Sequence, residues 1–200
     1  DNTAVGRSSA TKTTTGLCNT AMGGNSLACN TTGCYNSAYG RDALCANTTG
    51  DDNVAVGAYA LDANTEGNYN VGVGMDALSI STTASNNTAV GYNAARNTTT
   101  GGSIVAIGFC ALRSNTTGHS NTAVGYNVLA SAVTGNENTA LGVDAGDTVT
   151  GSRNIFIGHN AGKGQTSISD KLYIDNTDTS TPLIYGDFAT NEVTINGDLE

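Results

Sequence analysis

Residues 36–52 read Asn36-Ser-Ala-Tyr-Gly40-Arg-Asp-Ala-Leu44-Cys-Ala-Asn47-Thr-Thr-Gly50-Asp-Asp52. Residues 53–69 read Asn53-Val-Ala-Val-Gly57-Ala-Tyr-Ala-Leu61-Asp-Ala-Asn64-Thr-Glu-Gly67-Asn-Tyr69. The two align without a gap, and the alignment extends in both directions. Gly6, Gly23, Gly40, Gly57, Gly74, Gly91, Gly108, Gly125 and Gly142 stand 17 residues apart. A second ladder runs through Gly16, Gly33, Gly50, Gly67, Gly101, Gly118 and Gly135, with Ala84 on the one missing rung. Both ladders continue at Gly151 and Gly158 after one residue is lost between Gly142 and Gly151. Two ladders in phase define a repeat, and a fixed short period is the signature of a solenoid.

Numbered from the leading Asn, the columns have physical readings. Asn-Thr-Ala-Val is a short β-branched strand. The fifth-column glycine supplies a positive φ or a close backbone approach. Asn-Thr-Thr-Gly, as at 47–50 and 115–118, is turn chemistry, with Asn bonding nearby backbone and Gly taking the left-handed position. Two turns and two short strands per coil predict an all-β parallel β-roll, or β-solenoid, of about ten coils over residues 1–165. Coils stacked at the interstrand spacing of about 4.8 Å give a rod about 45–50 Å long. No coil buries its apolar face alone, so stability must come from stacking.

The fourth column is apolar throughout (Val5, Met22, Tyr39, Val56, Val73, Val90, Ile107, Val124, Leu141, Ile157) and the ninth is mostly Leu. These two are expected to form a thin core. The third column, on the opposite strand face, is then expected to point outward. It holds Ala4, Ala21, Ala38, Ala55, Gly72, Ala89, Ala106, Ala123 and Ala140. A wall of small residues admits a second backbone, which makes these alanines candidates for the contact with sister chains; alanine tolerated on a plain surface is the alternative.

Composition agrees with a narrow core. The 200 residues include 26 Gly, one Pro and no Trp, and only 12% are charged, against about 25% in an average protein. The net charge of −9 comes with only eight Lys and Arg, scattered singly, which argues against nucleic acid as a partner, because binding its phosphates needs clustered cations. No apolar run approaches the roughly 20 residues of a membrane helix. Residues 166–200 change pattern, with Leu172, Ile174, Leu183-Ile184-Tyr185, Val193 and Ile195 around turns at Gly186 and Asn196-Gly197; they predict a small C-terminal β cap or transition module. The chain opens inside a repeat, as a segment of a longer protein does, and its last residues, Leu199-Glu200, are either native or appended.

Asn-Thr-Ala-Val-Gly-Tyr-Asn at 87–93 and 121–127, with Ser103-Ile-Val-Ala-Ile-Gly108, resembles the YadA-like head repeat of trimeric autotransporter adhesins. The 17-residue form is most similar to repeats of phage tail fibres. Residues 171–188, from Lys171-Leu-Tyr-Ile to Gly186-Asp-Phe188, resemble a segment that precedes an endosialidase-type chaperone in such fibres. The resemblance implies a left-handed parallel β-roll assembled as a homotrimer. It also implies a structural and adhesive role in a virion fibre that attaches to a host-cell surface glycan or protein beside other fibre proteins, with no enzyme activity and no cofactor. A bacterial adhesin head at the cell surface is the first alternative, and a tailspike-type polysaccharide-degrading enzyme the second.

Few residues suggest chemistry. Cys18 and Cys34, and likewise Cys29 and Cys45, are 16 apart, one short of the repeat and within disulfide reach across neighbouring coils. Small thiols left unbridged are the alternative. Cys110 stands apart, and no Cys-x-x-Cys pair suggests zinc. His119 and His159 occupy variable positions, which gives little support to a Ser/His/Asp site. Asp51-Asp52 and Asp175/Asp178 read as solvated turns before weak Ca²⁺ sites. The adjacent threonines precede a turn glycine and do not form a flat ice-binding face. The sixth column holds Met75, Tyr92, Phe109 and Tyr126. This stripe is either a surface for sugar rings or a flat partner, or cover over a thin core.

Overall fold

The computed structural model describes residues 1–197; Leu199 and Glu200, with the end of the C-terminal module, lie outside the described residues. The protein is an all-β solenoid. Ten three-residue strands recur once per coil: β1 (Thr3–Val5), β2 (Thr20–Met22), β3 (Ser37–Tyr39), β4 (Val54–Val56), β5 (Val71–Val73), β6 (Thr88–Val90), β7 (Val105–Ile107), β8 (Thr122–Val124), β9 (Thr139–Leu141) and β10 (Ile155–Ile157). Each pairs in parallel with the next, so that Ala21 stands against Ala38 and Ala38 against Ala55. β11 (Lys171–Ile174) continues the parallel ladder, and β12 (Ile184–Asp187) and β13 (Glu192–Ile195) close it antiparallel. The lost residue between Gly142 and Gly151 leaves the strand register intact, with Phe156 facing Ala140.

Each coil has one strand where two were expected. The opposite side is built of turns whose leucines take left-handed φ, as at Leu44 (φ 50°) and Leu61 (φ 52°). That conformation disfavours an L-residue by about 1–2 kcal/mol. It persists because the leucine is buried and its N–H still bonds the next coil: Leu44 N donates to Ala60 O at 3.0 Å, and Leu61 N to Ala77 O at 3.0 Å. The inter-coil hydrogen bonds are therefore made without strand geometry.

The core is the reverse of the expectation on the strand. Ala21, Ala38, Ala55, Ala89, Ala106 and Ala123 are 0% exposed and point inward, and Ala140 is buried with them. Only Ala4, in the first coil, is exposed. The fourth column points out, with Tyr39 40% and Leu141 50% exposed. These alanines are thus covered by their own chain and offer no face to a sister chain. Width decides the direction. A Cβ at Gly72 would lie 3.2 Å from Leu61 Cγ, so the lumen admits one methyl against the leucine that fills it from the other side. A valine facing inward would overpack that gap. The core is therefore third-column Ala, eighth-column Ala and ninth-column Leu.

Two buried asparagine ladders line the same interior. In the first column, Asn36 N donates to Asn19 Oδ1 at 2.9 Å, and Asn36 Nδ2 donates to Gly50 O at 2.7 Å. One side chain thus joins two coils and closes its own. In the twelfth column, Asn64 Nδ2 donates to Asn47 Oδ1 at 2.8 Å, and Asn47 Nδ2 to Asn30 Oδ1 at 2.9 Å. Buried amides persist only when so paired.

The glycine ladders differ in cause. Gly40 and its equivalents combine a positive φ with a close approach, since a Cβ at Gly40 would lie 2.5 Å from Gly57 O. Gly50 is not left-handed as expected; the left-handed residue is Asp52 (φ 56°), two positions on. Gly50 is required by space, because a Cβ there would meet Gly67 O and Asn47 Oδ1, each at 2.5 Å.

Candidate interaction surface

Because strand residues alternate faces, burying the alanine column turns the second and fourth columns outward together. The outcome is one continuous outer wall on β1–β10, apolar along the fourth column, beside a second column of mostly Thr and Ser. Val5, Met22, Tyr39, Val56, Ile107, Leu141 and Ile157 are its exposed members, with Val73, Val90 and Val124 half-buried between them. Monomers rarely leave so long an apolar surface uncovered, and such patches mark interaction sites. No signal in the fourth column alone distinguished an inward from an outward valine. One signal did exist elsewhere: where the third column becomes Phe156, the ninth becomes Gly162, as it must if those two columns face each other.

The sixth column runs beside this wall across one glycine. Met75, Tyr92, Phe109 and Tyr126 are all exposed. Tyr92 and Phe109 stack with centroids 5.3 Å apart at 20°, and Phe109 and Tyr126 at 5.1 Å and 8°. The rings thus cover one another's faces and turn their edges to solvent. Sugar rings pack on aromatic faces, so this ladder is a flat apolar rib beside the wall and not a row of open platforms.

The other expected residues are dispersed. All five cysteines are free thiols, so Cys18 and Cys34, and Cys29 and Cys45, stand unbridged. The Cys34 thiol accepts a hydrogen bond from Leu17 N at 3.3 Å and donates to Thr32 O at 3.3 Å. Cys29 N donates to Cys45 O at 3.0 Å. His119 and His159 lie at different corners of coils three apart, and among the described residues neither ring is bonded to a serine or an aspartate. Asp51 Oδ1 accepts from Cys34 N at 2.7 Å, Asp175 caps Asn176 N at 2.8 Å, and Asp178 accepts from Gly164 N at 3.0 Å. These carboxylates organise turns. Among the described residues no three His, Cys, Asp or Glu side chains converge, and no concave pocket is present. Thr31, Thr48, Thr99 and Thr116, each the first of a pair, are tied down by their hydroxyls, as Thr48 Oγ1 donates to Thr65 O at 2.9 Å, while Thr49 is exposed.

Ion pairs cluster at the closed end. Arg153 forks onto Asp170 at 2.6 and 2.8 Å, and Lys171 Nζ reaches Asp187 at 2.7 Å. Each hydrogen-bonded cation holds its carboxyl below the usual range. Elsewhere, burial above all, with the Asp76 and Asp42 charges, pushes the Asp62 carboxyl up to about 6 against the pull of its backbone hydrogen bonds. No protein-family model, curated protein or solved structure matches the chain.

Proposed function

We propose that this chain is a structural and adhesive segment of a virion fibre, a homotrimeric rod that carries host-attachment surface. The observation that supports it best is the unbroken apolar wall along ten coils. A single rod leaves that wall in water. Sister chains packed wall to wall would remove it, at about 25 cal/mol per Å² of apolar area covered. The contact is assigned to the fourth column and its neighbouring aromatic rib, in place of the alanines. The number three comes from the head-repeat resemblance.

A rigid solenoid sets reach, and the variable turns opposite the wall carry contacts outward. Three copies per rod raise effective affinity for a repetitive cell surface. Light scattering coupled to size exclusion tests the assembly. The expected mass is about 60 kDa, three times the 20.1 kDa of one chain; a 20 kDa species refutes it. Binding of the assembled rod to host cells and to a glycan panel tests the adhesive role.

A further inference from the structure

The second and third coils hold a pair of thiols that the rod does not need. Cys29 N donates to Cys45 O at 3.0 Å, and a direct backbone bond of this kind leaves the two Cα atoms within the roughly 4.4–6.8 Å that disulfides span. Both cysteines are partly exposed, whereas Cys110 is buried. One coil below, Lys12 Nζ lies 3.7 Å from Cys29 Sγ. That ammonium draws an anionic disulfide reagent toward the Cys29 sulfur, and the thiolate is the attacking species in thiol–disulfide exchange. Neither cysteine belongs to the wall or to the aromatic rib, and neither thiol serves the asparagine ladders.

We propose that Cys29 and Cys45 are a reversible redox pair that links the second coil covalently to the third. The oxidant class is a small-molecule disulfide. The Cys29 thiolate attacks one sulfur of the reagent, forming a Cys29 mixed disulfide and releasing one thiolate. Cys45 then loses its proton to solvent and attacks the Cys29 sulfur. The second reagent thiolate leaves, and the Cys29–Cys45 bond remains. Two protein thiols are oxidised and one reagent disulfide is reduced to two thiols. Cys45 is fitted to the second step, since burial, then the neighbouring Cys29 and the Asp42 and Asp62 carboxylates, raise its thiol and make it the slower first attacker. The Cys18 and Cys34 pair is not assigned this role, because the Cys34 thiol is already held between Leu17 N and Thr32 O.

The test uses the whole chain carrying Cys18→Ser and Cys34→Ser, incubated with oxidised glutathione. Thiols are counted after unfolding, and tryptic peptides are mapped by mass spectrometry. Expected are the loss of two thiols and a linkage between peptides 13–41 and 42–96, reversed by dithiothreitol. In the same chain, Cys45→Ser should stop at a glutathione adduct on Cys29. Lys12→Met should slow adduct formation about threefold, and Lys12→Arg should restore it. Three free thiols after incubation, or a glutathione adduct persisting when both cysteines are present, would overturn the proposal. The readout is independent of oligomeric state, so failure of the trimer reading and failure of this one are separable.

Discussion

Phe156 and Gly162 face each other across the lumen of the tenth coil, where coils such as the third and fourth pair alanine with leucine, Ala38 with Leu44 and Ala55 with Leu61. A Cβ at Gly162 would lie 2.5 Å from Phe156 Cδ1, and one at Gly146, in the coil below, 2.8 Å from Phe156 Cδ2. Volume has moved from one wall of the lumen to the other. The exchange begins an aromatic stack that ends the roll: Phe156 on Tyr173 at 5.6 Å, and Tyr173 edge-on to Tyr185 at 5.4 Å.

Gly162→Leu alone should therefore unfold the closed end, and Phe156→Ala alone should cost about 3–5 kcal/mol through the cavity it leaves. The double variant restores the usual pairing on one side and should recover at least half of that loss. Urea melts of the three variants check the coupling. Additive losses would show that the two columns do not share the lumen.

The fifth coil carries a second exchange. Ser81 replaces the ladder asparagine, and Ala84 replaces the ladder glycine. In an ordinary coil the two would collide, since a Cβ at Gly50 meets Asn47 Oδ1 at 2.5 Å. The shorter serine makes room for the methyl but leaves Asn64 Oδ1 and Ser81 Oγ buried without partners. Ser81→Asn alone should destabilise by about 1–2 kcal/mol through overpacking. Ser81→Asn with Ala84→Gly should stabilise by about 1 kcal/mol, by satisfying the orphaned carbonyl. A thermal double-mutant cycle reads the sign change.

Asp62 makes stability depend on pH. Its carboxyl is raised to about 6 from 3.8, and its Oδ1 is buried without a partner. The folded state holds this proton more tightly than the unfolded chain. Its contribution is thus complete below about pH 4 and is lost as the pH rises through about 6. Asp62→Asn should raise Tm at about pH 7.5 by roughly 2–4 °C, equivalent to about 1 kcal/mol after allowance for solvent screening. The gain should vanish at about pH 4. Equal gains at both pH values would assign the effect to packing.

The wall makes its own prediction. Val90→Lys with Ile107→Lys places two cations on its outer face without touching the lumen. The circular dichroism spectrum should be unchanged, and the scattering mass should fall to that of one chain. An assembly that survives both lysines would move the contact off this wall.

The coil length, the number of coils and the solenoid class were legible in the residues, because two glycine ladders and two asparagine columns recur in phase. A coil such as the third places Gly40 beneath the Gly57 carbonyl, where a side chain would clash, and Asn36 beside Asn53, where the amide joins the two coils; Ile104 is the one departure from that asparagine column. The existence of a changed module after residue 165 was legible for the same reason, as the recurrence stops. The aromatic stripe was legible as a line, but not the stacking that closes its ring faces. The direction of the strand was not legible. Alternation states that Ala38 and Tyr39 lie on opposite faces, yet it is symmetric between the two choices. Only the tertiary structure decided, through the width of a lumen that the opposing leucine already fills. Local pattern set the repeat; the distance across the coil set which side of it meets water.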